Sequence, residues 1–157
     1  MASTARISQL GLSVGLPSGW DGGIYRRPAL PGETTHPVLH ASTVPLPPGR
    51  GDFGGGAVEQ LGATDVFIAL LEYDPASAGQ ALYRATGGVP GVTPDLFSPI
   101  ALQRLIAPQA GCQQFFTVGG RAFCLYVVIG NFAYRYRLSA VANSVLAGLQ
   151  IQPLGTQ

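Results

Sequence analysis

Two stretches decide the fold: Asp65-Val66-Phe67-Ile68-Ala69-Leu70-Leu71-Glu72-Tyr73 and Gln114-Phe115-Phe116-Thr117-Val118-Gly119-Gly120-Arg121. The first is apolar at six consecutive positions, Val66 to Leu71, between polar ends. Such a run reads as a strand covered on both faces, central in its sheet. In the second, a Gly-Gly pair separates aromatic and β-branched runs. Glycine tolerates positive φ, so this pair predicts a two-residue hairpin turn leading into Arg121 to Ile129. Pairing Val118 with Arg121 sets Cys124 opposite Phe115 and Cys112 near Val127. The two cysteines are then not partners, and buried free thiols are expected. In this register Phe116, Phe123, Leu125, Val127 and Ile129 share one face, while Phe115, Cys124 and Tyr126 share the other.

Upstream, Leu10, Leu12, Val14 and Leu16 alternate with Gly11, Ser13 and Gly15, the period of a half-buried strand. Ile24 to Arg27 and Val38 to Val44 read as further strands, and Pro45 to Gly56 as a loop dense in breakers. Short helical segments are predicted at Ala57 to Leu61, Ser77 to Ala85 and Ile100 to Ile106. Leu138, Val141, Val145 and Leu149 fall at helical spacing, with Ser139 as a cap. The fold class is therefore α+β: a single domain over residues 1–157, with a twisted antiparallel sheet, flanking helices and a C-terminal amphipathic helix. Residues 1–8 are expected to form a flexible N-terminal tail.

With 157 residues, 46% of them hydrophobic and only 11% charged, the chain can bury a core unaided. So few charges leave neutral and apolar groups on the surface, which either favours association with itself or a partner or is covered harmlessly by the abundant Gly, Ala, Ser and Thr. All nine basic residues are arginine, and glycine and proline are abundant, the usage of a GC-rich bacterial genome. Through Asp74 there are four Arg and seven acids; beyond it come five Arg and only Asp95. Five dispersed arginines make no basic stripe, so nucleic acid is not an expected partner. No apolar run approaches the roughly 18 residues of a membrane span, and nothing behind Met1 to Arg6 reads as a signal peptide. The expectation is a cytoplasmic protein.

The opening strand ends in Leu16-Pro17-Ser18-Gly19-Trp20. With the sheet strands, hairpin and terminal helix that follow, this resembles the Mog1/PsbP-like group, in which a strand running into such a turn opens an antiparallel sheet. The likeness in residues spans Leu10 to Trp20; beyond it only the order of elements agrees. It implies a binding or assembly protein rather than an enzyme, and names no partner.

Several motifs suggest chemistry without completing it. Gly49-Arg50-Gly51-Asp52-Phe53-Gly54 fits G-x-G-x-x-G, with Glu72 and Asp74 about 20 residues on. A pyrophosphate loop needs a strand directly before it, and Pro45-Leu46-Pro47-Pro48 cannot end a central strand. No cofactor is expected, and what the Gly49 to Gly56 loop binds is left open. His36 and His40 share a face if extended, but no third metal ligand is evident nearby. Cys124, between Phe123 and Leu125, should be silenced by burial. Glu72 and Asp74 share a strand face and are expected to meet water. No catalytic residue is assigned, and the reading leans away from an enzyme.

The interaction candidates are Trp20, Tyr134, Arg135, Tyr136 and Arg137, because Trp, Tyr and Arg are enriched in binding hot spots. As a strand end, Tyr134 to Arg137 would put two phenols on one face and two guanidinium groups on the other, which reads first as a solvated edge with the Tyr stems packed and second as an interaction patch. Trp20 is either the plug of one sheet end or an anchor for a partner. Three functions follow: a non-catalytic interaction or assembly subunit; a carrier of a small apolar ligand held between sheet and terminal helix; or a hydrolase-type enzyme using His40 with Asp52 or a cysteine.

Overall fold

In a computed structural model that describes residues 4–155, the chain forms two antiparallel sheets and one α-helix. Strands β1 (Thr4–Gln9), β2 (Leu12–Pro17) and β8 (Gln150–Ile151) make a three-stranded sheet in the order β1-β2-β8. Strands β3 (Asp21–Tyr25), β4 (Val38–Ser42), β5 (Val66–Glu72), β6 (Ala110–Val118) and β7 (Arg121–Ile129) make the larger one. Its order is β3-β4-β5-β7-β6, so β5 and β7 lie inside it.

The hairpin has the register that its turn dictates: Val118 faces Arg121, Phe115 faces Cys124 and Cys112 faces Val127. Gly119 and Gly120 take φ of 60° and 80°, which side chains rarely adopt, so the turn requires glycine here. β5 is buried on both faces. Val66, Ile68 and Leu70 join the main core with Phe116, Phe123 and Leu125, and Phe67, Ala69 and Leu71 join a second core with Tyr126 and Val128.

Helix α1 (Arg135–Leu146) and β2 cover the main core, the helix through Leu138, Ala142, Val145 and Leu146 and the strand through Leu12, Val14 and Leu16. The second core is covered by loops, through Val58, Phe53, Leu46, Leu102 and Ile106. The helices expected around the sheet reduce to this one. Ala57 to Leu61 holds a single 3-10 turn, Val58–Gln60. Ser77 to Ala85 is spanned by two such turns, Pro75–Ser77 and Ala81–Tyr83, and Ile100 to Ile106 holds turns and bends without a helix. Gly62 follows the first segment, Gly79 at φ 79° interrupts the second, and Pro108 lies just past the third, so no helix propagates through them.

The expected tail is also corrected. Thr4 to Ser8 belong to β1, paired residue by residue with β2 from Thr4–Pro17 to Gln9–Leu12. Residues 1–3 lie outside the described residues. The β1–β2 turn sets Leu10 at φ 55° and Gly11 at φ 77°. A left-handed leucine costs about 1–2 kcal/mol. The buried Arg121 guanidinium holds it there, donating to the carbonyls of Leu10 (3.1 Å), Gly11 (3.2 Å) and Gln152 (3.0 Å). Its remaining donors make a two-pronged pair with Glu72, at 2.6 and 3.0 Å. Arg121 thus ties the large sheet to both the first hairpin and the last strand.

Candidate functional site

Tyr134-Arg135-Tyr136-Arg137 is helical, not the end of a strand. Asn131 accepts a hydrogen bond from the Ala133 amide (2.9 Å) and caps the 3-10 turn Phe132–Tyr134, which runs directly into α1. Ser139 is consequently inside the helix, its hydroxyl donating to the Arg135 carbonyl (2.6 Å). The capping signal was Asn131 after Gly130, four residues before α1 begins. In a helix the two phenols and two guanidinium groups fan around the axis instead of sorting onto opposite faces.

The guanidinium of Arg135 lies 4.2 Å from the centre of the Phe132 ring and donates to the Phe132 carbonyl (3.1 Å). Together with Asn131, Pro108, Leu105 and Ile106 they line an open groove of about 580 Å³. Leu105 is 67% exposed, and Ile100, next to the groove-lining Pro99, is 79% exposed. Tyr136 is 72% exposed. Arg135 and Arg137 make no ion pair among the described residues. The amino end of α1 therefore joins an apolar groove to unpaired positive charge. Trp20 does not line it; its half-buried ring packs against the main core at the β2–β3 turn.

The residues weighed for catalysis are engaged elsewhere. His40 is fully buried, and both of its ring nitrogens are used. Nδ1 lies 2.7 Å from Arg50 Nε, whose N–H can only donate, so Nδ1 accepts. Nε2 then carries the proton and donates to the backbone carbonyl of Asp52 (2.7 Å). Burial, aided by the charge of Arg50, pushes the imidazole pKa down to about 4, so the ring is neutral at pH 7. The Asp52 carboxylate turns away to the Tyr25 hydroxyl (2.6 Å) and Arg27 (3.2 Å). His40 therefore staples the Gly49 to Gly56 loop to the sheet and has no nitrogen left for a substrate.

Glu72 and Asp74 part company as well. Glu72 is buried against Arg121 rather than meeting water, and Asp74 accepts from the Ala76 amide (2.8 Å), capping the turn that follows. Cys112 and Cys124 are free and buried, and burial pushes their thiols up to about 12 and about 11. Thiols that hold their protons so firmly are poor nucleophiles. Among the described residues no three His, Cys, Asp or Glu side chains gather into a metal-binding group. No helix among them is long and apolar enough to cross a membrane.

No protein-family model matches this chain, and neither a curated protein nor a solved structure matches it.

Proposed function

We propose that the protein works by binding another protein, and that the groove at the amino end of α1 is its docking surface. One observation carries this: an apolar groove lined by exposed Leu105, with exposed Ile100 beside it, also takes in Arg135, which has no carboxylate partner among the described residues. A soluble domain seldom leaves such a surface without a use. The complementary ligand is a segment with a bulky apolar side chain set between carboxylates, because Arg favours forked pairing with carboxylates. Charge along the chain agrees, since Asp95 is the one acid beyond Asp74. The likeness of Leu10 to Trp20 to the Mog1/PsbP-like group, whose members mostly bind or assemble other proteins, supports the same reading.

Selection from a random peptide library on the immobilised protein tests it. Enriched peptides should combine Leu, Phe or Trp with flanking Asp or Glu, and should bind more weakly as salt screens the arginines. Leu105→Asp should abolish their binding while shifting stability by no more than about 0.5 kcal/mol, as expected of an exposed position. Enrichment of basic peptides, or binding indifferent to Leu105→Asp, would overturn the proposal. A concentration-dependent dimer in light scattering that Leu105→Asp dissolves would identify the occupant as a second copy instead.

A further inference from the structure

The loop-covered face of the large sheet holds a second feature, next to the docking groove. Behind the Gly49 to Gly56 loop lies a cavity of about 280 Å³, with Tyr126 and Val128 of β7, Val58 and Phe53 among its lining. Phe53 meets Tyr126 edge to face, with ring centres 5.4 Å apart. Tyr126 is only 3% exposed. Its oxygen accepts from the Gln103 amide (2.9 Å), yet its own hydrogen finds no acceptor among the described residues. Gln109, also 3% exposed and lining the same cavity, donates from Nε2 to the Val58 carbonyl (2.7 Å). Its Oε1 accepts no hydrogen bond among the described residues. The phenol hydrogen of buried Tyr126 thus has capacity to spare, where such groups are ordinarily satisfied, whereas the Gln109 oxygen is accessible enough for water to reach it.

Charge is spent rather than spare. The Asp52 carboxylate is held by Tyr25 and Arg27, and Arg104 pairs with Glu59 at 3.4 Å on the outside. A charged ligand entering here would lose its hydration and find no free counter-ion. Pockets for drug-sized ligands begin near about 300 Å³, so a guest must be small. The Phe53 and Tyr126 rings, which meet each other edge to face, give the lining an aromatic surface that favours an aromatic guest.

We infer that this cavity binds a compact, uncharged aromatic molecule through a carbonyl or similar acceptor that takes the Tyr126 hydrogen. The site shares Gln109 with the docking groove, but Tyr126 and Phe53 do not line the groove and Leu105 does not line the cavity, so Tyr126→Phe and Leu105→Asp test the two separately. Because burial raises the Tyr126 pKa, the phenol keeps its hydrogen throughout the neutral range.

The test is an amide NMR titration of the intact chain with three probes of one shape: acetophenone, toluene and benzoate. Acetophenone should shift the signals of Gln103, Tyr126 and Phe53 and bind about three- to tenfold tighter than toluene, the worth of one neutral hydrogen bond. Benzoate should bind more weakly than acetophenone. Tyr126→Phe should erase the advantage of acetophenone and leave toluene unchanged. The inference is overturned if no probe shifts these signals at millimolar concentration, if acetophenone binds no tighter than toluene, or if benzoate binds as well as acetophenone. A fully folded Tyr126→Phe that keeps the advantage would likewise sink it. The acetophenone-to-toluene ratio on the unaltered protein decides the matter even if that variant folds poorly.

Discussion

The two faces of the large sheet are built from the same strands and covered in different ways. On one, α1 and the small sheet lay regular structure over Phe123, Leu125 and Ile68, and their side chains interlock into one continuous core. On the other, loops cross Phe67, Tyr126 and Val128 and are held by polar staples such as His40 to Asp52, leaving a cavity. A helix or strand presents side chains at a fixed spacing that can mesh with a sheet. A glycine-rich loop meets the sheet with backbone as much as side chains, so it packs less completely and is fixed by hydrogen bonds. The contrast places stability on the first face and leaves room for a ligand on the second.

If that contrast is right, the largest loss should come from the helix-covered side. Phe123→Ala removes a fully buried ring stacked 5.6 Å from Phe116, and should cost about 3–5 kcal/mol in denaturant unfolding. A loss below about 1 kcal/mol would mean that this face is as loosely packed as the other.

The loop-covered face should instead betray itself through acid. His40 is held near 4 when folded and returns to about 6.5 when unfolded. The unfolded chain therefore binds the proton first, and this source of stability is whole above about pH 6.5. It falls as pH drops toward 4 and levels off below, by roughly 3 kcal/mol in all. Comparing unfolding of the protein and His40→Gln between pH 7 and 4 isolates it, and the variant should lack that slope. Equal slopes would show that the staple does not hold the loop.

The smallest effect separates two adjacent glycines. Gly54 sits at φ 88°, where a Cβ would come within 2.5 Å of the Phe67 ring, while one on Gly55 would meet nothing within 4 Å. Gly54→Ala should cost about 1–3 kcal/mol, and Gly55→Ala should be nearly neutral. Equal effects would mean that the loop does not rest on Phe67.

Much of the first face was legible in the sequence. The Val66 to Leu71 run, the Gly119-Gly120 turn and its register, and the helical spacing of Leu138 and Val145 each follow from local geometry and a one-dimensional pattern. The candidate sites were legible only in part. The Tyr134 to Arg137 stretch was recognisable as rich in residue types that binding surfaces use, but its helical state depends on Asn131, and its groove on Leu105 and Pro108 some 30 residues earlier. The cavity gave no signal at all, since Phe53, Gln109 and Tyr126 come from three segments with no shared pattern.

The sequence by itself determined the central strand, the hairpin register, the terminal helix and the mixed α+β class, because neighbours a few residues apart settle these. Only tertiary structure decided that Thr4 to Gln9 is a strand, that Glu72 is buried against Arg121, and that His40 is a staple without a free nitrogen. Glu72 and His40 depend on partners distant along the chain, and the turn that pairs Thr4 to Gln9 with β2 sets Leu10 left-handed, held by the distant Arg121. Burial and hydrogen-bond satisfaction, which no local pattern encodes, fix what such a residue can do.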